Sequence, residues 1–254
     1  MVSTLSPTLH LKLLERSAFK APSPLLLYAV PSTTGAVIGN PNLKPQYVNT
    51  FEFQVAWAPN DFFDLSSVVA YSIVEDKTEF IQQGINKVAR NVAHATTISS
   101  ETLVDLKPTD WLQAYLSFEY QSTRQRSGEE GFPAQVVGTA GTIYPNLMMH
   151  SGLVVQPPAG LLRAAVQLSY IGERRASENN ILLGGRAYTL PAYWLLEAKL
   201  ASPGFHLFRG EEQEVSFAIS EKNRLGADGP APGFSGVDYP LAPRALWLQM
   251  DLVF

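Results

Sequence analysis

Cysteine is absent from all 254 residues, which excludes disulfide frameworks and thiolate metal sites. No apolar run reaches ~18 residues, so no segment qualifies as a transmembrane helix. Charge is scarce: charged residues make up 17%, against about 25% in an ordinary soluble domain. With a net charge of −4 there is no basic field, and nucleic acid is not expected as a partner. Residues 1–7 carry no basic region and no apolar signal-type stretch follows. For an exported chain, this predicts sequence missing upstream of Met1. There is no fixed-period repeat beyond hairpins and no low-complexity tract.

Motifs that carry chemistry are equally sparse. Of the four histidines, His10, His94, His150 and His206, no two stand at a short metal spacing. By the alternation described below, His10 and His150 point to the polar side of a wall. Asp76 and His94 flank one predicted loop without forming a recognisable acid–histidine set. Glu129-Glu130 and Asp105 lack a second carboxylate placed by spacing. Gly138-Thr139-Ala140-Gly141 and Gly184-Gly185-Arg186 lack the strand–helix context of a phosphate loop. There is no Gly-x-Ser-x-Gly elbow. Catalysis is not expected, and neither a cofactor nor a metal.

What the chain does have is 46% hydrophobic residues arranged with a period of two, the signature of strands with one apolar face. Leu246, Leu248, Met250, Leu252 and Phe254 alternate with Ala245, Trp247, Gln249, Asp251 and Val253. Leu162, Ala164, Val166, Leu168 and Tyr170 alternate with Arg163, Ala165, Gln167 and Ser169. Leu112, Ala114, Leu116, Phe118 and Tyr120 do so with Gln113, Tyr115, Ser117 and Glu119. About ten such strands are predicted, over residues 8–19, 47–58, 62–75, 93–106, 111–122, 147–156, 161–171, 188–201, 212–220 and 244–254. Many exceed the ~5–6 residues usual in soluble sheets and match the ~9–11 of a tilted membrane strand.

Connections alternate in length. Pro59-Asn60-Asp61, Pro108-Thr109-Asp110 and Pro157-Pro158-Ala159-Gly160 are tight turns. Residues 20–46, 76–92, 123–146, 172–187 and 221–243 are predicted long loops. Short turns at one rim and long loops at the other are the pattern of outer-membrane barrels, with the long loops extracellular. Tyr71, Tyr120 and Tyr170 each follow Phe63, Leu112 and Leu162 by eight residues. At ~3.3 Å per residue and a tilt of ~40° this spans about 20 Å, close to the ~25 Å apolar band between aromatic girdles. Trp57, Phe63 and Phe254 belong to the periplasmic rim in this reading, and the three tyrosines with Trp194 to the outer rim. The expected fold is all-β, an antiparallel up-and-down transmembrane barrel wall. A soluble sandwich or lipocalin-like barrel would alternate too, with its apolar face buried inside.

Two segments carry a family resemblance. Ala18-Phe19-Lys20-Ala21-Pro22-Ser23, then Gly39-Asn40-Pro41-Asn42-Leu43-Lys44-Pro45, then Asn49-Thr50-Phe51-Glu52-Phe53 resembles a barrel stretch of the TonB-dependent receptors. Tyr239-Pro240-Leu241-Ala242-Pro243-Arg244 with the strand to Phe254 resembles that family's closing loop and last strand. Gln46 stands where the family usually has Glu, and Ile219-Ser220-Glu221-Lys222-Asn223 echoes its penultimate strand end only loosely. In isolation, Pro41 and Pro45 stiffen the approach to the strand at Tyr47, and Gly39 permits a positive φ before it.

The resemblance implies the C-terminal part of a barrel of about 22 strands, without the plug domain and signal peptide. It implies uptake of a scarce nutrient such as an iron–siderophore complex, in the outer membrane of a Gram-negative bacterium. Implied partners are outer-membrane lipid and lipopolysaccharide, the small nutrient, the TonB energy-coupling complex acting through the missing plug, and the barrel assembly machinery acting on the strand ending at Phe254. Independently of the resemblance, Arg163, Glu173, Arg174 and Arg175, with Arg124 and Arg126, form a candidate cluster for an anionic ligand. The competing reading is a complete ten-stranded barrel acting as an enzyme or passive pore, in which strands 8–19 and 244–254 pair.

Overall fold

The computed structural model describes residues 2–30, 37–83, 86–127, 144–158, 160, 162–175, 188–206, 214–231 and 237–253. The elements in chain order are β1 (Val2–Ser6), β2 (Leu9–Lys20), α1 (Pro24–Tyr28), β3 (Val37–Ile38), β4 (Gln46–Asn60), β5 (Phe63–Gln83), β6 (Asn86–Thr109) and β7 (Leu112–Ser127). They continue with β8 (Leu147–Val155), β9 (Arg163–Ile171), β10 (Arg174–Arg175), β11 (Thr189–Leu190), β12 (Tyr193–Ala201), β13 (Phe205–His206), β14 (Glu214–Lys222) and β15 (Ala245–Val253). One sheet runs β1-β2-β4-β5-β6-β7-β8-β9-β12-β14, with β13 and β15 also on β14 and β3 in parallel on β6. All its other pairings are antiparallel, and β10 and β11 form a separate two-stranded ribbon.

The register sorts side chains onto two faces. One face carries rows such as Phe53, Val69 and, beyond Ser100, Tyr120, and Trp57, Leu65, Val104, Leu116 and, beyond Ser151, Leu168. Ile219, Phe217 and Val215 share that face with Leu248, Met250 and Leu252. Most of that face is open: Leu248 is 80% exposed and Leu246 65%, whereas Val215, beside Phe205 of β13, is buried. A sandwich, which would bury these leucines against a second sheet, is therefore excluded. Among the described residues the buried apolar ones form no central core: Leu43, Val88 and Ala89 are buried where the 40–45 loop meets β6, and Ala95, Leu190, Val215 and Ala218 belong to other parts of the structure.

The tyrosines form a staircase. Tyr71 is in register with Ile98 and Ser122, and Tyr120 lies two residues below Ser122. Tyr120 is in register with Leu147, whose carbonyl accepts from the Gly172 amide, and Tyr170 lies two residues below Gly172. A step of one residue per strand, ~3.3 Å along against ~4.8 Å across, corresponds to a tilt of about 35°. That is the tilt range of membrane barrels. The aromatics also meet in pairs at the two ends of the band: Trp57 on Phe63 (5.4 Å) and Phe205 on Phe217 (5.9 Å) at one, Tyr170 on Trp194 (4.8 Å) at the other.

All ten predicted strands are present, and four features differ from expectation. Residues 76–92, expected as a loop, continue β5 and β6 into a long hairpin. The continuation sets Phe80 beside Ile81 and Val88 beside Ala89 instead of alternating, and therefore lacks the apolar row by which the strands were recognised. A bulge at Asp76, whose φ is 52°, marks where it leaves the band. The 20–46 connection contains the short helix α1, started by Ser23, whose hydroxyl accepts from the Leu26 amide (3.4 Å), with Pro24 in the first turn.

The other two differences concern the sheet's edge and a glycine. β1 covers residues 9–12 of β2, so that part of β2 is not an edge. β15 pairs with β14 and not with β1 or β2, leaving the sheet open among the described residues. Gly39 has no positive φ. A Cβ there would meet the Leu27 carbonyl and the Tyr28 amide at 2.7 Å, so glycine is required for close approach to α1 and not for its conformational freedom. Phe254, Glu129-Glu130, Gly138-Thr139-Ala140-Gly141 and Gly184-Gly185-Arg186 lie outside the described residues.

Candidate functional site

The face opposite the apolar one is polar and acidic. The register aligns Asp64, Asp105, Tyr115, Gly152, Gln167 and Glu197 in one row, and Gln54, Val68, Glu101 and Glu119 two rows further along the same face. Neighbouring side chains satisfy one another. Arg16 donates to Glu52 (2.8 Å), Thr50 bonds Ser72 (2.9 Å), and Thr97 bonds Thr123 (2.9 Å). His150 Nδ1 lies 2.9 Å from the Ser169 hydroxyl, and His10 Nδ1 lies 3.3 Å from that of Thr4. Both histidines stand on the polar face as expected, as members of hydrogen-bonded pairs. No group of three or more acids and histidines that could hold a metal occurs among the described residues. The Tyr115 ring occupies the space a Cβ at Gly152 would take, so an aromatic covers the gap that glycine leaves in the wall.

The residues of the Gly39–Pro45 motif clasp one rim. The Gly39 amide donates to Ala29 O and that of Asn40 to Leu26 O, both at 2.8 Å, docking the loop on α1. Asn40 Nδ2 donates to Ala89 O (2.9 Å) on the β6 extension. Asn91 Nδ2 donates to Lys44 O (3.0 Å) and Asp76 O (2.7 Å), and its Oδ1 accepts from the Lys44 amide (2.8 Å). Leu43, Val88 and Ala89 are buried beneath this clasp. Sequence reasoning found the motif but not Asn91, because its partners lie up to 47 residues away.

The candidate arginines are not one cluster. Arg163 begins β9 and Arg174 lies past its other end, so about 26 Å of wall separates them at ~3.3 Å per residue. Arg174 is only 5% exposed. Its guanidinium donates to Pro230 O and to Gly172 O (3.5 Å) and lies over the Tyr193 ring, 5.1 Å from the centroid. It pins the loop that follows β14 onto the wall. Glu173 and Arg175 are exposed beside it. Arg124 shares the apolar face with Tyr120 and Ser122, away from the β9 end. Arg126 is in register with His94.

Asn223 is a second hub missed in the sequence. With φ at 50° it turns the chain out of β14, its Nδ2 donates to Ala227 O (2.7 Å) and Ala242 O (2.9 Å), and its Oδ1 accepts from the Ala227 amide. Its place in the loosely matching penultimate segment was the available signal.

The arrangement gives the wall one face suited to lipid and another suited to water and solutes. A family model described as the outer membrane protein beta-barrel family matches residues 23–176. No curated protein matches the chain in sequence. Among solved structures, the ferric-catecholate import receptor Fiu from E. coli superposes with a TM-score of 0.73 at 18% identity, over 98% of this chain and 33% of that one. The pyoverdine outer membrane receptor FpvA from Pseudomonas aeruginosa gives 0.72 at 14%, over 98% and 34%. The FrpB iron transporter from Neisseria meningitidis gives 0.71 at 10%, over 98% and 37%. The chain thus spans about one third of the length of these structures.

Proposed function

This chain belongs to the outer membrane protein beta-barrel family, and from that premise we propose that it forms the C-terminal part of a TonB-dependent receptor that takes up a scarce nutrient. The apolar face is the lipid face and the polar face the lumen, in the outer membrane of a Gram-negative bacterium. The proposed cargo is an iron chelate of siderophore type. The observation that carries the reading is the open antiparallel wall, which superposes on about a third of each of three iron-receptor barrels. The protein moves its ligand without covalent chemistry. The TonB complex would act through a plug domain, and the assembly machinery through the final strand.

Ligand contact falls to the exposed Glu173 and Arg175 at the outer rim. Arg174 shapes the rim, and Arg163 stands at the opposite end of its strand. The test is uptake of radiolabelled ferric siderophores by cells with and without the gene encoding this chain, in strains with and without TonB. Energy-dependent uptake that requires both is the expected result. Passage that persists at the same rate without TonB would sink the receptor reading and favour the passive pore.

A further inference from the structure

We propose that the polar face of the wall carries a binding site for a carboxylate borne on a small, partly apolar solute, built on Lys199, Lys222, Gln167 and Tyr115. The register brings these residues together. Lys199 stands opposite Ala165 on one side and Ser220 on the other. Two residues along the same face, Glu197 stands opposite Gln167, Gln167 opposite Gly152, and Gly152 opposite Tyr115. Ala198 pairs with Glu221, so Lys222 continues the row of Glu197 and stands diagonally from Lys199. A cross-strand diagonal of about 7–8 Å lets two long side chains reach one anion. The side chains shape a hollow of about 240 Å³. The Tyr115 ring lies over Gly152 and walls one side, Ala165 gives a low floor, and the lysines with Glu197 wall the other side.

The charge balance selects the occupant. Elsewhere this face sets acid against acid, with Asp64 opposite Asp105 and Glu101 opposite Glu119. In the hollow the sign reverses, because two lysines against Glu197 leave one positive charge. Neither lysine nor Glu197 makes an ion pair among the described residues. Glu221 lies on the lipid face with Ala198 and is held by Arg224 and Arg244, at 2.8 and 2.6 Å. One surplus charge matches a carboxylate and leaves the second charge of a phosphate dianion uncompensated. Donors surround the place. The ammonium groups bind a carboxylate by charge-assisted hydrogen bonds. Gln167 spends one amide N–H on Ser169 (3.4 Å) and keeps the other, and the Ser220 hydroxyl has no partner among the described residues. Tyr115 offers an aromatic surface to the rest of the solute. A wall that repels anions along most of its polar face holds them here, which makes the hollow a station for anionic cargo between the two rims. The inference rests on the transport reading in one respect, that this face lines the lumen.

The test uses the assembled receptor containing this chain and a water-soluble reagent that acylates lysines, with each site read by peptide mass spectrometry. Millimolar benzoate should slow acylation of Lys199 and Lys222 and leave Lys12, on the same face in β2, unchanged. Benzamide, its neutral isostere, should protect none of them. Glu197→Gln should lower the benzoate concentration that half-protects Lys199 by about fivefold, and Lys222→Gln should raise it by about as much. Equal protection by benzoate and benzamide, or a midpoint unmoved in both variants, would overturn the site. Inorganic phosphate protecting better than benzoate would overturn the carboxylate assignment. Lysines that resist acylation before any probe is added are already held by a carboxylate of the protein, which would overturn the solute assignment. The readout needs neither TonB nor uptake, so its failure leaves the transport reading standing, and the loss of TonB-dependent uptake would leave this site standing.

Discussion

Asn91 shows how one side chain can hold a rim of the wall together. Its amide makes three hydrogen bonds to backbone groups of Lys44 and Asp76, each contributing about 1 kcal/mol net. Asn91→Ala should therefore cost about 2–3 kcal/mol locally, read as faster amide hydrogen exchange in residues 37–45, with the strands inside the band unaffected. The arginines separate by environment. Arg174→Ala removes a buried cation from Pro230 and Tyr193 and should loosen residues 223–231 to proteolysis. Arg175→Ala should leave that loop intact and weaken ligand binding several-fold, and Arg163→Ala should do neither. Equal effects of all three on ligand affinity would contradict the separation. None of this was legible in the sequence. Arg174's acceptor lies 56 residues along the chain, and a pattern of period two carries no information about contacts between loops.

The strands are the level at which the sequence was most informative. A wall residue must choose between lipid and water, so each strand writes its two environments into alternate positions. Where one environment disappears, so does the signal. The β5–β6 extension beyond Asp76 sets Phe80 beside Ile81 and Val88 beside Ala89 instead of alternating, and so reads as a loop, although it is paired strand. β1, five residues long, is too short to display a period. The same logic predicts mutational asymmetry on β7. Leu116 sits midway between Leu112 and Tyr120 on the lipid face, and Ser117 is its neighbour on the lumen face. Leu116→Arg should destabilise the assembled barrel by about 2–4 kcal/mol, and Ser117→Arg by less than about 1 kcal/mol. Urea titration of the folded protein in lipid vesicles measures both, and equal costs would contradict the face assignment.

At the scale of the whole molecule, the wall is open among the described residues. β15 has β14 as its strand neighbour, and β1 covers only residues 9–12 of β2. A strand edge within lipid leaves backbone N–H and C=O groups unsatisfied, at several kcal/mol each. A sector that covers about a third of larger barrels therefore needs the neighbouring strands of a closed ring on both sides. The register already carries the stagger of such a ring, one residue per strand, so closure demands more strands and no change in the geometry of those present. The central claim is the orientation of this wall, and the absence of cysteine makes it directly measurable. Single cysteines placed one at a time along residues 113–120 of the assembled protein in native outer membranes can be probed with a water-soluble maleimide. Labelling should alternate, strong at Gln113, Tyr115, Ser117 and Glu119 and weak at Ala114, Leu116, Phe118 and Tyr120; uniform labelling, or the inverse alternation, would contradict the account.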